Sequence, residues 1–155
     1  VEAPPGEGSG PTTGRRKVAD GLVEIRYDLC IGCANCIMAC PYEARSIVHE
    51  ARFAYGDQPM ANEQAMFDPE RINVATKCTF CIERIDLAAE TGQIPGVDHE
   101  VTPACVNSCI SGAMVFGDLD DPDSNLSRLL KETKSFLQNE ELGTGPGVYY
   151  LWDKA

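Results

Sequence analysis

Cys30, Cys33, Cys36 and Cys40 are spaced C-x2-C-x2-C-x3-C and run straight into Pro41. Cys78, Cys81, Cys105 and Cys109 repeat the arrangement, with 23 residues between the second and third. This spacing lets a short loop wrap three thiolates around one iron–sulfur cubane. The fourth thiolate, one helical turn further on, is turned towards a neighbouring cluster. Two matched runs in one chain predict two clusters close enough to exchange electrons.

Two other uses of eight cysteines have to be weighed. Disulfides need an even count, but C-x2-C pairs are poor partners within a motif, and Val1-Glu2-Ala3-Pro4-Pro5 is not a secretion signal. Structural zinc accounts for the C-x2-C…C-x3-C set of Cys78, Cys81, Cys105 and Cys109, and leaves a zinc-stabilised interaction module open. It handles the three equally spaced cysteines before C-x3-C-P poorly. A thiol oxidoreductase is disfavoured, because every C-x2-C belongs to a longer ligand pattern. His49 and His99 read as surface loop residues rather than ligands.

The chain has 13 basic and 24 acidic residues, a net charge of -11. Two oxidised cubanes with their thiolates would bring it to roughly -15. Such a charge repels nucleic acid and suits a partner with a basic docking face. No apolar run approaches the ~18 residues that a membrane span needs. The absence of an initiator Met leaves processing or truncation open.

Along the chain, residues 1–17 are Gly/Pro-rich and predict an irregular arm. Leu22 to Tyr27 alternate as a strand with Val23, Ile25 and Tyr27 on one face. A cluster loop, a short helix ending near Cys40 and a strand at Ser46–His49 follow. Ile72–Thr76 reads as a second entry strand and Ala113–Phe116 as its exit. The offset between the halves is 48 residues at Cys30/Cys78 and 69 at Cys36/Cys105, so the second half carries an insertion of 21. Each half also places Ala four residues after its last cysteine, at Ala44 and Ala113, where a small residue lets the chain approach a cluster. This duplication predicts an α+β fold: a two-cluster, ferredoxin-like β-α-β repeat core spanning 18–122. Two long loop insertions decorate it, 49–71 and 82–104, the second opening with a helix from Ile82 to Glu90 that Gly92 ends. From a cap at Asp123, a helix is expected through about Gln138, with Leu126, Leu129, Leu130 and Leu137 on one stripe. With the extended aromatic tail from Leu142 to Trp152 it makes up 123–155, a helix and docking segment.

The flanks of the cysteines are more specific than the spacing. Tyr27-Asp28-Leu29-Cys30-Ile31-Gly32-Cys33, Ala39-Cys40-Pro41-Tyr42, Lys77-Cys78-Thr79-Phe80-Cys81-Ile82-Glu83-Arg84 and Phe116-Gly117-Asp118-Leu119-Asp120-Asp121-Pro122 stand together. Over roughly residues 18–152 the chain resembles the iron–sulfur electron-transfer subunits that accompany molybdopterin oxidoreductases of the DMSO-reductase family. It departs from them at Ile110, where such subunits usually carry Pro. It also shows two cysteine motifs where they usually carry four, so the chain is either a fragment or a reduced form.

The resemblance implies a non-catalytic redox subunit, relaying single electrons through [4Fe–4S] clusters. Its implied partners are a molybdopterin catalytic subunit and a membrane quinone-reactive subunit or other carrier. It would lie peripherally on the cytoplasmic membrane through those partners, the cytoplasmic side being favoured over the periplasmic. A standalone two-cluster carrier is the alternative. In a self-contained pairing, Cys30, Cys33, Cys36 and Cys109 hold one cluster, and Cys78, Cys81, Cys105 and Cys40 the other. Under four-motif pairing each cluster keeps three ligands from this chain, which allows a [3Fe–4S] centre, and a longer subunit would carry further clusters. Ile31, Ala34, Ile37, Met38 and Ala39 are expected to exclude water.

Overall fold

The computed structural model describes residues 15–17 and 21–152. Residues 1–14 of the arm predicted over 1–17 lie outside the described residues. Within them, three two-stranded antiparallel sheets, five α-helices and three 3-10 turns are arranged as small α+β units, compatible with a ferredoxin-like fold. The chain divides into two compact units, Val1–Thr79 and Phe80–Ala155.

In the first unit, β1 (Arg15–Lys17) pairs with β2 (Val23–Ile25). The end of the predicted arm is therefore a strand, and β2 is shorter than expected. Tyr27 opens a 3-10 turn, Tyr27–Leu29, that leads into the cysteine loop. Helix α1 (Asn35–Met38) carries Cys36. Strand β3 (Ser46–Ile47) pairs with β4 (Ala75–Thr76). A hydroxyl pair, Ser46 Oγ to Thr76 Oγ1 at 3.1 Å, reinforces that short ladder. Ile25, Val74 and Ala75 are the buried apolar residues here, worth about 1.5–3 kcal/mol for each of the larger two. So small a core leaves the loops to polar ties. Lys77 Nζ donates to the carbonyls of Val23 and Cys78.

The first insertion is folded rather than loose. Helix α2 (Ala61–Met66) is fastened by Glu63, whose carboxylate accepts the N–H groups of Ala54 and Met60 at 2.9 Å each. Phe53 and Phe67 meet edge to face, 5.6 Å between centroids.

The second unit opens with α3 (Ile82–Thr91), ended at Gly92 as the sequence predicts. Helix α4 (Ala104–Asn107) carries Cys105. The predicted C-terminal helix is shorter than expected. Ser124, not Asp123, caps α5 (Asn125–Glu132), and the helix stops at the β-branched, extended Thr133. Leu137 lies instead in β5 (Ser135–Leu137), which pairs with β6 (Tyr149–Leu151). The aromatic tail thus packs on its own unit, where Phe136 stacks on Tyr150 at 5.3 Å and meets Trp152 at 5.2 Å.

Ala113–Phe116 is not a strand. The N–H groups of Ala113 and Met114 are spent on the sulfur of Cys109. The Phe116 carbonyl packs against Gly96, where a Cβ would stand 1.9 Å from its oxygen. A ladder has too few free groups left there. Among the described residues no helix is long and apolar enough to cross a membrane.

Candidate iron–sulfur centre

All eight cysteines are free thiols. Cys33, Cys78 and Cys105 are exposed, and Cys30, Cys36, Cys40, Cys81 and Cys109 half-buried. Among the described residues, no three His, Cys, Asp or Glu side chains gather as a single-ion cage. What the fold organises around the sulfurs is a set of hydrogen-bond donors.

Two local segments recur with an offset of 69 residues. Cys36 and Cys105 each stand second in a four-residue helix, α1 and α4. Cys40 N–H donates to Ile37 O at 3.3 Å, and Cys109 N–H to Val106 O at 3.2 Å. Each last cysteine then closes a turn on the residue three further on, Glu43 at 3.3 Å and Gly112 at 3.0 Å. Glu43 and Gly112 are both left-handed, at φ 50° and 63°. The next residue donates its N–H to the cysteine sulfur: Ala44 to Cys40, and Ala113 to Cys109 at 3.2 Å. Pro41 and Ile110 occupy the same place in equivalent turns, so the missing proline leaves the local backbone unchanged.

Both sulfurs are held in favour of the thiolate. Burial opposes the charge at Cys40, but N–H groups of Ala44 and Tyr42 and the Arg45 guanidinium outweigh it and lower the pKa. At Cys109 the Ser111 hydroxyl acts most strongly, with the Met114 N–H; slight desolvation opposes them, and the Ala113 and Ser111 N–H groups add to the lowering. Such donors are what a metal-bound thiolate needs around it. Eight thiols, with N–H donors to the sulfurs of Cys40, Cys81 and Cys109, fit iron–sulfur ligation by their chemistry.

The C-x2-C loops also share a backbone feature, offset by 48. Gly32 and Phe80, each just before a cysteine, are left-handed at φ 66° and 58°. Gly32 is obliged to be glycine, since a Cβ would stand 2.1 Å from the Asn73 carbonyl oxygen. Phe80 carries the strain of a bulky residue in that region. Cys81, also left-handed, caps α3 and accepts the Ala104 N–H at 3.4 Å.

Arg84 and Asn107 are positioning residues that sequence reasoning missed. From α3, Arg84 donates to Thr102 O at 2.9 Å and His99 O at 3.4 Å. From α4, Asn107 donates to the same carbonyls, His99 at 2.7 Å and Thr102 at 3.3 Å. The second insertion is thereby clamped between the helices that follow Cys81 and hold Cys105, with Val101 fully buried. Arg84 belongs to the segment Lys77–Arg84, but nothing in that pattern points to its acceptors. The water-excluding role expected of the inter-cysteine residues is only partly visible: Ala34 and Ile37 are half-buried, while Ile31, Met38 and Ala39 are exposed. Helix α1 is a single turn, with too little length to cover all its sides. His49 and His99 are exposed, as expected, His49 Nδ1 lying 3.1 Å from Asn73 Oδ1.

N–H donors at the sulfurs of Cys40, Cys81 and Cys109 suit an iron–sulfur protein, and residues 23–46 match the 4Fe-4S binding domain. The chain is 38% identical over 137 residues to Hdr-like menaquinol oxidoreductase iron-sulfur subunit 1 of Archaeoglobus fulgidus, covering 86% of this chain and 47% of that protein. It is 34% identical over 134 residues to a tetrathionate reductase subunit of Salmonella typhimurium, covering 85% and 40%. With a selenate reductase subunit of Mesobacillus selenatarsenatis it shares 33% over 168 residues, covering 97% and 51%. Its homologues are thus iron–sulfur subunits of oxidoreductases, matched over most of this chain. The chain spans about half the length of these relatives, or less.

Proposed function

We propose that this chain relays single electrons between a molybdopterin catalytic subunit and a membrane quinone-reactive subunit or other carrier. The observation that carries the reading is the repeated turn in which Ala44 and Ala113 aim N–H groups at the sulfurs of Cys40 and Cys109. When bound, a [4Fe–4S] cluster supplies one-electron chemistry without making or breaking bonds to substrate. The residues then have distinct tasks. The eight thiolates hold iron, N–H groups stabilise charge on sulfur, and the Arg84–Asn107 clamp orients the segments bearing Cys81 and Cys105.

Two clusters are proposed. Cys30, Cys33, Cys36 and Cys109 hold one; Cys78, Cys81, Cys105 and Cys40 hold the other. Motif spacing supports this pairing. The proposed organisation keeps a di-cluster domain over 18–122 and a docking segment over 123–155, with attachment to the membrane through partner subunits and no nucleic-acid role.

Replacing Cys36 by Ala in the assembled complex tests the reading. Quinone-linked turnover is expected to stop while dye-linked turnover of the catalytic partner continues; full quinone-linked turnover overturns the relay. Iron and acid-labile sulfide of about eight each per chain are expected for two intact cubanes. A colourless, EPR-silent protein containing zinc would overturn the cofactor assignment.

A further inference from the structure

We propose that Arg45 raises the reduction potential of the cluster that Cys40 ligates, and that Met114 marks the corresponding place in the second turn as uncharged. The inference rests on the iron–sulfur reading above. The two turns match residue for residue in backbone hydrogen bonding and in the left-handed residue before the alanine. They part immediately afterwards, at Arg45 and Met114. One turn sets a permanent positive charge beside its cysteine, the other a thioether.

Three further observations bear on Arg45. Its guanidinium charge lies near enough to the Cys40 sulfur to favour the thiolate. Cys109 instead meets neutral donors, the Ser111 hydroxyl at 3.4 Å and backbone N–H groups. Next, Arg45 Nε is buried and makes no hydrogen bond. An unsatisfied buried donor costs about 1–3 kcal/mol, and an anionic group seated beside Cys40 would supply the acceptor. Finally, Arg45 lines an open cavity of about 460 Å³ with Glu43, Arg71, Lys77 and Cys78. The other two cations there have engagements of their own. Lys77 donates to the Val23 and Cys78 carbonyls. Arg71 pairs with Asp68 at 3.3 Å and lies 4.9 Å from the centre of the Tyr27 ring.

The consequence follows from charge alone. Reduction brings one electron from the relay donor and makes or breaks no bond. The added negative charge interacts favourably with a fixed cation close by, more so in a partly buried site than in water. Reduction is therefore easier beside Arg45 than beside an apolar side chain.

An EPR-monitored redox titration of the purified holoprotein, with iron and sulfide counted for each variant, tests this. Arg45→Met is expected to lower one midpoint by about tenfold in the reduction equilibrium, ~59 mV for a one-electron couple, and to leave the other in place. Arg45→Lys keeps the charge and most of the midpoint. Met114→Arg is expected to raise the midpoint that Arg45→Met leaves alone. Unmoved midpoints in fully loaded Arg45→Met, or a Met114→Arg change that raises the Arg45-dependent midpoint instead, overturn the proposal. If Arg45→Met loads poorly, Met114→Arg decides: no rise sinks it. Wild type without iron overturns the cofactor reading instead, and the count separates the two failures.

Discussion

The backbone N–H of Ala113 meets the sulfur of Cys109 at 3.2 Å, across a turn closed by Gly112. Ala44 makes the same contact with Cys40 across a turn closed by Glu43. A left-handed residue in the third place swings the following N–H back onto the sulfur. Both positions hold alanine. The repeated unit is thus a device for placing a donor on a thiolate, built twice from dissimilar flanking residues.

The Ser111 hydroxyl, 3.4 Å from Cys109 Sγ, belongs to the same device. Hydrogen bonds to a ligating sulfur stabilise the more negative, reduced state. Ser111→Ala should lower one cluster midpoint by less than the Arg45 change lowers the other. A redox titration with both EPR signals resolved measures it, and an unmoved midpoint would show the hydroxyl to be a bystander.

Gly32 answers to sterics. An added methyl would face both a left-handed φ of 66° and the Asn73 carbonyl at 2.1 Å. Backbone strain of about 1–3 kcal/mol joins an overpacking cost of similar size. Gly32→Ala should therefore lower the melting temperature and iron content together. Retention of both would mean that the loop relaxes without cost.

Some of this was legible in the chain and some was not. Helix α3 ends at Gly92 as expected, because a helical stripe and a left-handed cap are local signals. The alanines four residues after Cys40 and Cys109 were legible for the same reason. Ala113–Phe116 reads as a strand by composition, yet the N–H groups of Ala113 and Met114 go to a sulfur, and no local pattern announces that competition. Helix α5 stops short of the expected Gln138 because Ser135–Leu137 finds a partner in Tyr149–Leu151, residues that a stripe of leucines does not foresee. The Arg84–Asn107 clamp was invisible because its acceptors are backbone carbonyls at His99 and Thr102, which carry no side-chain signature.

That clamp makes its own prediction. Arg84→Ala leaves Asn107 as the remaining side-chain donor to the Thr102 and His99 carbonyls described above, at a cost of about 1–3 kcal/mol for weakened satisfaction of partly buried groups. The double change with Asn107→Ala should cost more than the sum of the singles, since each donor covers for the other. Thermal unfolding of the four-member cycle measures the coupling; strict additivity would show that the two side chains act independently.

The first insertion should respond to acid through Glu63. The Ala54 N–H, then the Met60 N–H, hold its carboxyl below the ordinary glutamate value, against slight desolvation. A folded pKa below the unfolded one means that the fastening is fully present above the unfolded value and is lost as pH falls through the folded one. Protonation removes the charge that both amides bind, so the segment from Phe53 to Phe67 should loosen below the ordinary carboxylate range while other parts of the first unit hold. Amide exchange at Ala54 and Met60, followed from neutral pH downwards, is expected to accelerate in that window. Glu63→Gln should flatten the profile at both amides, because a neutral amide has no charge to lose. A pH profile in the Gln variant identical to wild type would place the acid sensitivity elsewhere in the insertion.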